Sequence, residues 1–363
     1  MSSIVMQTTK QPIDLRSDVM TPPTAAMWEA MQRARCDSGV FGEDTTVREL
    51  EATGAALLGK AAALFVPTCS MANLLALMTL GERGTQFIIE ETAHIAWSEE
   101  YGFAHVCGLF PRLLAGAQGV LPVAAVEAAI VTPQFSHLPR TSLVCLENTH
   151  NNAGGIAITP DQTTDIATVA YRHGVAVHLD GARLFNAAVA LGISVRELAD
   201  PVDTVAISLN KGLCAPLGAL LCGAAPVIEA ARLNARRIGA GSIHKAGIFA
   251  AAGLIALTEM IDNLAHDNRR AADLARRLKA LPDLHVDLNT VQTNIVKATV
   301  QREGLTARDF VASLARGGVL ALERSAPDVR FVTHRMIGDE DIERAAEVVA
   351  HILEDFSSPS PRP

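Results

Sequence analysis

The chain has 363 residues, of which 49% are hydrophobic and only 4% aromatic, and its formal net charge is −8 at pH 7. This composition favours a large α/β protein with an aliphatic core and argues against a β-sandwich. Because no basic block is present, the charge argues against a nucleic-acid partner. The six cysteines show no CxxC spacing, so neither a disulfide framework nor a metal site is encoded locally.

Residues 1–50 are predicted to form an N-terminal arm with helices. Pro22 and Pro23 precede a helical stretch, and the next helix, TVRELEATGAALLGK, is predicted to begin with a capping pattern at Thr46 and Glu49 and to end at Gly59. The N-terminus lacks an apolar segment, and the longest apolar run, AGIFAAAGLIAL, is too short to span a bilayer. We therefore expect a soluble, cytoplasmic protein without a membrane partner.

From residue 61 onward, strand and helix patterns alternate. The predicted strands are AALFV, QFIIE, LVCLEN, VAVHLD, TVAISLN and LGALLC, several of them apolar throughout, which is typical of strands buried on both faces. Residues 51–262 are therefore predicted to be a large α/β domain with a mainly parallel sheet between helices. Residues 263–356 read as a smaller α+β domain, and we expect the Pro/Ser-rich tail 357–363 to be disordered.

Two side chains end neighbouring predicted strands of the large domain. Asp180 ends VAVHLD and Lys211 follows TVAISLN, so both should lie at the edge where open α/β sheets bind ligands. A buried ammonium is costly unless it is paired or neutralised, for example as an imine. A carboxylate beside a protonated pyridine nitrogen and a lysine imine on the ring's aldehyde would make that ring an electron sink. Arg183 could form a local ion pair or grip a carboxylate bidentately.

Three further polar stretches follow predicted strands. Thr68, Cys69 and Ser70 precede a helix, which suits either an ordinary N-cap or a phosphate site. His94 follows QFIIE and is either a satisfied histidine or a group that stacks on an aromatic ligand. The run ENTHNNAGG, which contains Glu147, Asn148, His150 and Asn151, forms either a polar turn or part of a ligand pocket.

Several blocks of the sequence resemble the threonine aldolases, which are pyridoxal phosphate enzymes of fold type I (aspartate aminotransferase-like). The matching blocks run from Asp14 to His334: DLRSD, GED, ALFVP with MAN, ETAHI, LENTHNNAGG, HLDGARLFNAAVALG, SLNKG and VRFVTH. The resemblance implies a large domain with a mainly parallel sheet and a smaller α+β C-terminal domain. It also implies retro-aldol cleavage of a β-hydroxy-α-amino acid, such as L-threonine or L-allo-threonine, to glycine and an aldehyde.

The resemblance assigns roles to individual residues. It implies that Lys211 forms the imine with the cofactor, that Asp180 pairs with the pyridinium nitrogen and that His94 stacks on the ring. By the same likeness, the phosphate turn contains Cys69 and Ser70, and the groups for the substrate carboxylate are Ser17, Arg183 and Arg330. His137 matches a second active-site histidine that steers the β-hydroxyl. The family's active sites lie between subunits, which implies a homotetramer built as a dimer of dimers.

Three departures from the family pattern bear on the substrate. Phe41 stands where relatives have tyrosine, Cys69 replaces a glycine of the phosphate turn, and His244 with Lys245 replaces Arg-Gln near the cofactor phosphate. We infer that cofactor binding survives and that substrate preference can differ from threonine. The base for the β-hydroxyl proton is left open between His94, His137 and a water molecule. A β-eliminating lyase or transferase on the same fold is the alternative, and a non-catalytic cofactor-binding protein is a third reading.

Overall fold

The computed structural model describes residues 11–35, 37–38, 44–132, 137–241 and 243–355. Its strands are β1 (Ile13–Asp14), β2 (Ala62–Val66), β3 (Gln86–Glu90), β4 (Phe110–Leu114), β5 (Thr141–Glu147), β6 (Ala176–Gly181), β7 (Thr204–Ser208), β8 (Ala219–Gly223), β9 (Leu284–His285), β10 (Ile295–Val300), β11 (Val319–Leu320), β12 (Leu322–Ser325) and β13 (Asp328–Val332). Its helices are α1 (Ala25–Arg33), α2 (Thr45–Leu57), α3 (Cys69–Leu80), α4 (His94–Trp97), α5 (Gly102–His105), α6 (Val123–Ala129), α7 (Pro160–Arg172), α8 (Leu184–Leu191), α9 (Val195–Ala199), α10 (Ala225–Arg237), α11 (Gly247–Glu259), α12 (Leu264–Lys279), α13 (Ala307–Arg316) and α14 (Asp339–Asp355).

The larger sheet has seven strands in the order β2-β8-β7-β6-β5-β3-β4. All neighbouring pairs are parallel except those of β8, which runs antiparallel to both β2 and β7. Successive residues of β3 alternate between two apolar clusters, because Ile88 packs on one face and Phe87 and Ile89 on the other. The prediction of a mainly parallel sheet buried on both faces is therefore confirmed.

Two local features differ from the sequence-based expectation. The side chain of Asp44, not Thr46, caps α2, because its Oδ1 accepts the N–H of Val47 at 3.1 Å. Strand β4 was not predicted, and its side chains are largely exposed at the edge of the sheet. An exposed edge strand need not be apolar, so its sequence carries little periodic signal.

The smaller sheet is antiparallel in the order β12-β13-β10-β9 and shares an apolar core with α12, α13 and α14. The N-terminal strand β1 pairs in parallel with β11, so that Ile13 lies opposite Val319. The residues that follow β1 then lie beside the end of β13, where the Val332 N–H donates to the Leu15 carbonyl at 2.8 Å. The predicted divisions after residues 50, 262 and 356 stay predictions.

Helix α11 packs against α1 and α2 beside the larger sheet. Helices α11 and α2 lie close together, since a Cβ on Gly253 of α11 would lie 2.9 Å from a side-chain carbon of Leu50 on α2. Within the described ranges no single helix is long and apolar enough to cross a membrane. The segments Gly247–Glu259 and Ile261–Lys279, which are bent by 56° relative to each other, would together be long and apolar enough, by length and composition only.

Candidate active site

A cavity of about 260 Å³ opens beyond the carboxyl ends of β5, β6 and β7, the edge predicted to bind a ligand. It brings together six of the predicted site residues: Ser17, His94, Asp180, Arg183, Lys211 and Arg330. The other lining residues are Val19, Ser98, Glu147, Thr149, Asn151, Ala182 and Arg324. We call this space the main cavity.

The Asp180 carboxylate is buried and held at both oxygens. Its Oδ1 accepts the N–H of Ala182 at 3.1 Å, and its Oδ2 accepts the side-chain amide of Asn73 at 2.9 Å. The Cys69 thiol lies 3.9 Å from Oδ1. Burial, together with Asp180, raises the pKa of that thiol well above its ordinary value, so Cys69 stays neutral. The Asp180 side chain is therefore held in one orientation at the wall of the cavity.

Asn73 is itself oriented by a buried histidine. Burial lowers the pKa of His178 to about 4, so its ring is neutral at pH 7. Since the oxygen of Asn73 can only accept, His178 Nε2 donates to it at 3.1 Å, and His178 Nδ1 accepts from the Thr204 hydroxyl at 2.8 Å. The Asn73 amide group then points its two N–H bonds at Asp180 and at Glu99 Oε1, the latter also at 2.9 Å.

Glu99 is the second acid of this network. Burial first, and then the neighbouring Asp180 carboxylate, raises the pKa of Glu99 to about 8. Its carboxyl group is therefore protonated at neutral pH and leaves Asp180 as the charged member. Nothing in the sequence pattern singled out Asn73, Glu99 or His178. The i, i+4 spacing of Cys69 and Asn73 on one helix was the available signal for Asn73.

Lys211 follows β7 in a turn, because the strand ends at Ser208 and not at Asn210 as predicted. The Thr21 hydroxyl lies 2.9 Å from the Lys211 carbonyl oxygen, which also accepts the N–H of Cys214 at 2.9 Å. The backbone of Lys211 is thus fixed. Its side-chain nitrogen forms no hydrogen bond within the part of the chain that the structure describes.

Arg183 forms a buried, two-pronged ion pair with Asp18. Nε and Nη2 of Arg183 donate to the two Asp18 oxygens at 2.7 Å each, and Asn294 donates to Oδ2 at 3.1 Å. Burial alone would raise the pKa of Asp18, but the Arg183 guanidinium holds it well below its usual range. Asp18 therefore engages one N–H of Nε and one of Nη2, while both N–H groups of Nη1 and the second N–H of Nη2 remain. The predicted bidentate grip of Arg183 on a substrate carboxylate stays a prediction.

Arg330, on β13, has no carboxylate partner among the described residues. Its Nη1 donates to Asn151 Oδ1 at 2.8 Å, its Nη2 donates to the Arg16 carbonyl at 3.1 Å, and its buried Nε has no acceptor in these ranges. Burial, together with Arg183 and Arg324, lowers the pKa of Arg330 to about 9. A bound anion would relieve both the unpaired N–H and the crowding of like charges.

His94 begins α4 at the cavity wall. Its backbone N–H donates to Glu147 Oε2 at 2.6 Å, and Glu147 Oε1 accepts the N–H of Asn151 at 2.9 Å. The His94 ring is about one-third exposed, and its Nε2 lies 3.8 Å from Glu99 Oε1. Glu147 therefore links His94 to Asn151, which accepts a hydrogen bond from Arg330.

The polar run after β5 is divided between the two readings of the sequence. Glu147 and Asn151 line the cavity, whereas the amide of Asn148 is satisfied by the backbone of Ile158 at 2.8 and 3.1 Å. His150 is buried 3.1 Å from a carboxylate oxygen of Glu90. Burial would lower the pKa of His150, but the neighbouring carboxylates raise it above its ordinary value. Asn148 and His150 thus belong to the turn, not to the pocket lining.

The remaining predicted residues lie outside the main cavity. Cys69 and Ser70 are the first residues of α3, where their backbone N–H groups have no helical acceptor. His137, His244 and Lys245 are exposed, and none of them lines the cavity of this chain. Phe41 lies outside the described residues.

Comparisons with known proteins identify the family of this chain. The family model described as Beta-eliminating lyase matches residues 14–301. The chain is 37% identical to "Low-specificity L-threonine aldolase 1" of Arabidopsis thaliana, over 96% of this chain and 98% of that protein.

Two solved structures share the fold. A putative L-allo-threonine aldolase from Listeria monocytogenes has a TM-score of 0.78 at 22% identity, over 96% of this chain and 97% of that one. An aspartate aminotransferase from Rhizobium meliloti has a TM-score of 0.68 at 16% identity, over 95% of this chain and 92% of that one. The predicted aspartate aminotransferase-like fold is confirmed.

Proposed function

Because this chain belongs to the threonine aldolases within the beta-eliminating lyase family, we propose that it is a pyridoxal phosphate-dependent carbon–carbon lyase. Its substrate is a β-hydroxy-α-amino acid, such as L-threonine or L-allo-threonine, which it cleaves to glycine and an aldehyde. The observation that carries the proposal is the meeting of Lys211, Asp180 and the anion-deficient Arg330 in one cavity of about 260 Å³.

The residues around the main cavity fit pyridoxal phosphate. Lys211 offers an amine without a described protein partner, and Asp180 is a fixed carboxylate suited to a ring N–H. The buried hydroxyl of Thr149 lines the cavity and lacks a partner among the described residues. The first turn of α3, at Cys69 and Ser70, would supply N–H groups to the phosphate. When bound, this cofactor supplies an electron sink for negative charge that develops at the substrate's Cα.

The substrate carboxylate is assigned to Arg330, with help from Ser17 and the free Nη1 of Arg183. These groups fix the amino acid so that its Cα–Cβ bond, and not another bond at Cα, is aligned for cleavage. The Asp18 carboxylate keeps Arg183 charged and immobile. Orientation by this arginine pair therefore selects the reaction.

Proton transfer from the β-hydroxyl is assigned to His94, to His137 or to a water molecule that they hold. His94 has the better position in this chain, because its ring is partly exposed at the cavity wall. Glu99 is excluded as the base at neutral pH, since its carboxyl group already holds a proton.

A homotetramer with shared active sites would give the remaining residues a role. We assign His137, His244 and Lys245 to a neighbouring subunit's site, which is supported by their exposure in this chain. A cytoplasmic location is supported by the described cysteines, all of them free thiols. Coexpressing Lys211→Ala subunits with His244→Ala, Lys245→Ala subunits should restore activity if sites are shared. A monomeric protein, or no recovery in verified hybrids, would contradict the assignment.

Product analysis tests the proposed reaction. The purified protein should show the visible absorbance of lysine-bound pyridoxal phosphate, and Lys211→Ala should abolish it. With L-threonine, L-allo-threonine and phenylserine as substrates, we expect glycine. The family description favours β-elimination as the second candidate, and ammonia without glycine would establish that reaction instead.

A further inference from the structure

A second cavity of about 360 Å³ adjoins the main cavity, and we call it the annex. The two spaces share Ser98, Asn151, Arg324 and Arg330. Other lining residues of the annex include Trp97, Asn152, Lys297 and Asp328. A substrate held at Arg330 can therefore extend into the annex.

A β-bulge sets the position of Arg324 between the two cavities. Strands β12 and β13 pair Glu323 with Val329 and then Ser325 with Asp328, which leaves Arg324 as the extra residue. A bulge bends the strand and re-aims the side chain it carries. The Arg324 side chain borders both cavities, close enough to Arg330 for its charge to lower the pKa of Arg330.

The annex carries more positive charge than its own carboxylate can balance. Lys297 is paired with Asp328 at 2.9 Å. Arg324 donates to the side-chain oxygen of Asn152 and forms no ion pair with any residue that the structure describes, and the acceptors of Arg330 are all uncharged. Two neighbouring guanidinium groups thus face one connected space without a counter-anion from the described chain.

We propose, on the basis of the retro-aldol function above, that the preferred substrates are β-hydroxy-α-amino dicarboxylic acids. Arg330 holds the α-carboxylate and Arg324 holds the distal carboxylate. In 3-hydroxyaspartate, the smallest member of this class, three bonds separate the two carboxylate carbons, and both arginines line both cavities. Each carboxylate then gains a charge-assisted hydrogen-bonding partner.

The reaction on this substrate balances without a further reactant. The Cα–Cβ bond breaks, its electron pair stays on Cα, and the β-hydroxyl loses its proton as its oxygen becomes the aldehyde oxygen. Cα then takes up one proton. The products are glycine and glyoxylate, and the distal carboxylate leaves unchanged on the aldehyde.

The test compares kcat/KM of the holoenzyme for 3-hydroxyaspartate, L-threonine, L-allo-threonine and phenylserine, with glycine as the measured product. In the wild type we expect 3-hydroxyaspartate to exceed the better threonine diastereomer at least tenfold. Arg324→Gln should lower this ratio at least tenfold, and Arg324→Lys should retain most of it. The matched control is Arg308→Gln, which removes an exposed charge paired with Glu323 and lying outside both cavities.

Binding of a ligand that cannot undergo retro-aldol cleavage separates recognition from chemistry. L-Aspartate lacks the β-hydroxyl, and calorimetry should show it binding the wild-type holoenzyme at least tenfold tighter than L-alanine, a preference that Arg324→Gln should remove. Threonine cleavage without preference for 3-hydroxyaspartate, or a preference unchanged in Arg324→Gln, would overturn the proposal. A phenylserine preference independent of Arg324 would place an aromatic group against Trp97 instead. Absence of glycine from every substrate would refute the retro-aldol function itself.

Discussion

Replacement of Glu99 by glutamine should change how the stability of this protein depends on pH. Burial and the Asp180 carboxylate raise the pKa of Glu99 from an ordinary value of 4.5 to about 8. Glutamine resembles the protonated acid, because its side-chain oxygen can accept the same Asn73 hydrogen bond and it has no proton to lose. Glu99→Gln therefore keeps the folded arrangement and removes the titration.

Proton linkage gives the direction and the magnitude of the stability change. Between pH 4.5 and about 8 the unfolded chain has lost the Glu99 proton while the folded chain keeps it. The wild type should then lose about 1.4 kcal/mol of stability per pH unit from this group, on the order of 5 kcal/mol over the whole window, with no further loss at higher pH. Glu99→Gln lacks this loss, so its advantage over the wild type should grow as the pH rises from 5 to 8.

The assay is chemical unfolding of both proteins at pH 5, 6, 7 and 8, with the cofactor content held equal. Glu91→Gln is the control, because Glu91 is exposed and lies only eight residues earlier in the chain. If the difference in unfolding free energy between wild type and Glu99→Gln stays constant across these pH values, Glu99 is ionised in the folded protein. The assignment of Asp180 as the charged acid of the pair would then fail.

Three further changes test the charged groups. Arg330→Ala should lower kcat/KM by about 3 kcal/mol of transition-state binding, and an unchanged value would refute its assignment to the carboxylate. Asp18→Ala leaves the buried Arg183 unpaired and should lower the free energy of unfolding, measured with denaturant, by about 3 to 5 kcal/mol. The double variant Asp18→Ala, Arg183→Met should recover part of this lost stability. A loss below about 1 kcal/mol in the single variant would argue against a stabilising ion pair. Burial and Asp18 raise the pKa of Asp267 to about 7 from 3.8, so the wild type loses stability between those pH values. The stability of Asp267→Asn relative to the wild type should therefore be about 4 kcal/mol higher at pH 8 than at pH 4. Equal shifts in Tm at both pH values would contradict this.

The edge that carries Asp180 and Lys211 was predictable, because strand periodicity and the parallel connection place successive strand ends together. The same reasoning could not find the partner of Arg183. Asp18 lies 165 residues earlier and follows β1, which pairs with β11 near the other end of the chain. Secondary-structure patterns carry no information about such a crossing.

The sequence also could not predict the direction in which individual side chains point. The bulge that directs Arg324 between two cavities depends on one extra residue in a strand, which period-two patterning does not reveal. The bridge from His178 through Asn73 to Asp180 depends on which strand packs under α3. To predict either feature, one needs the order of the strands in the sheet as well as the positions of the helices and strands.

The pairing of β1 with β11 has a consequence for synthesis of the protein. The Arg330 side chain donates to the carbonyl of Arg16, 314 residues earlier, and His334 contacts the Asp14 carbonyl at 2.8 Å. The anion site therefore cannot close while the chain is still emerging from the ribosome, because one half is made first and the other nearly last. Such distant contacts form slowly, so turnover should appear after the larger sheet has folded, and nascent chains that end before β13 should lack the site.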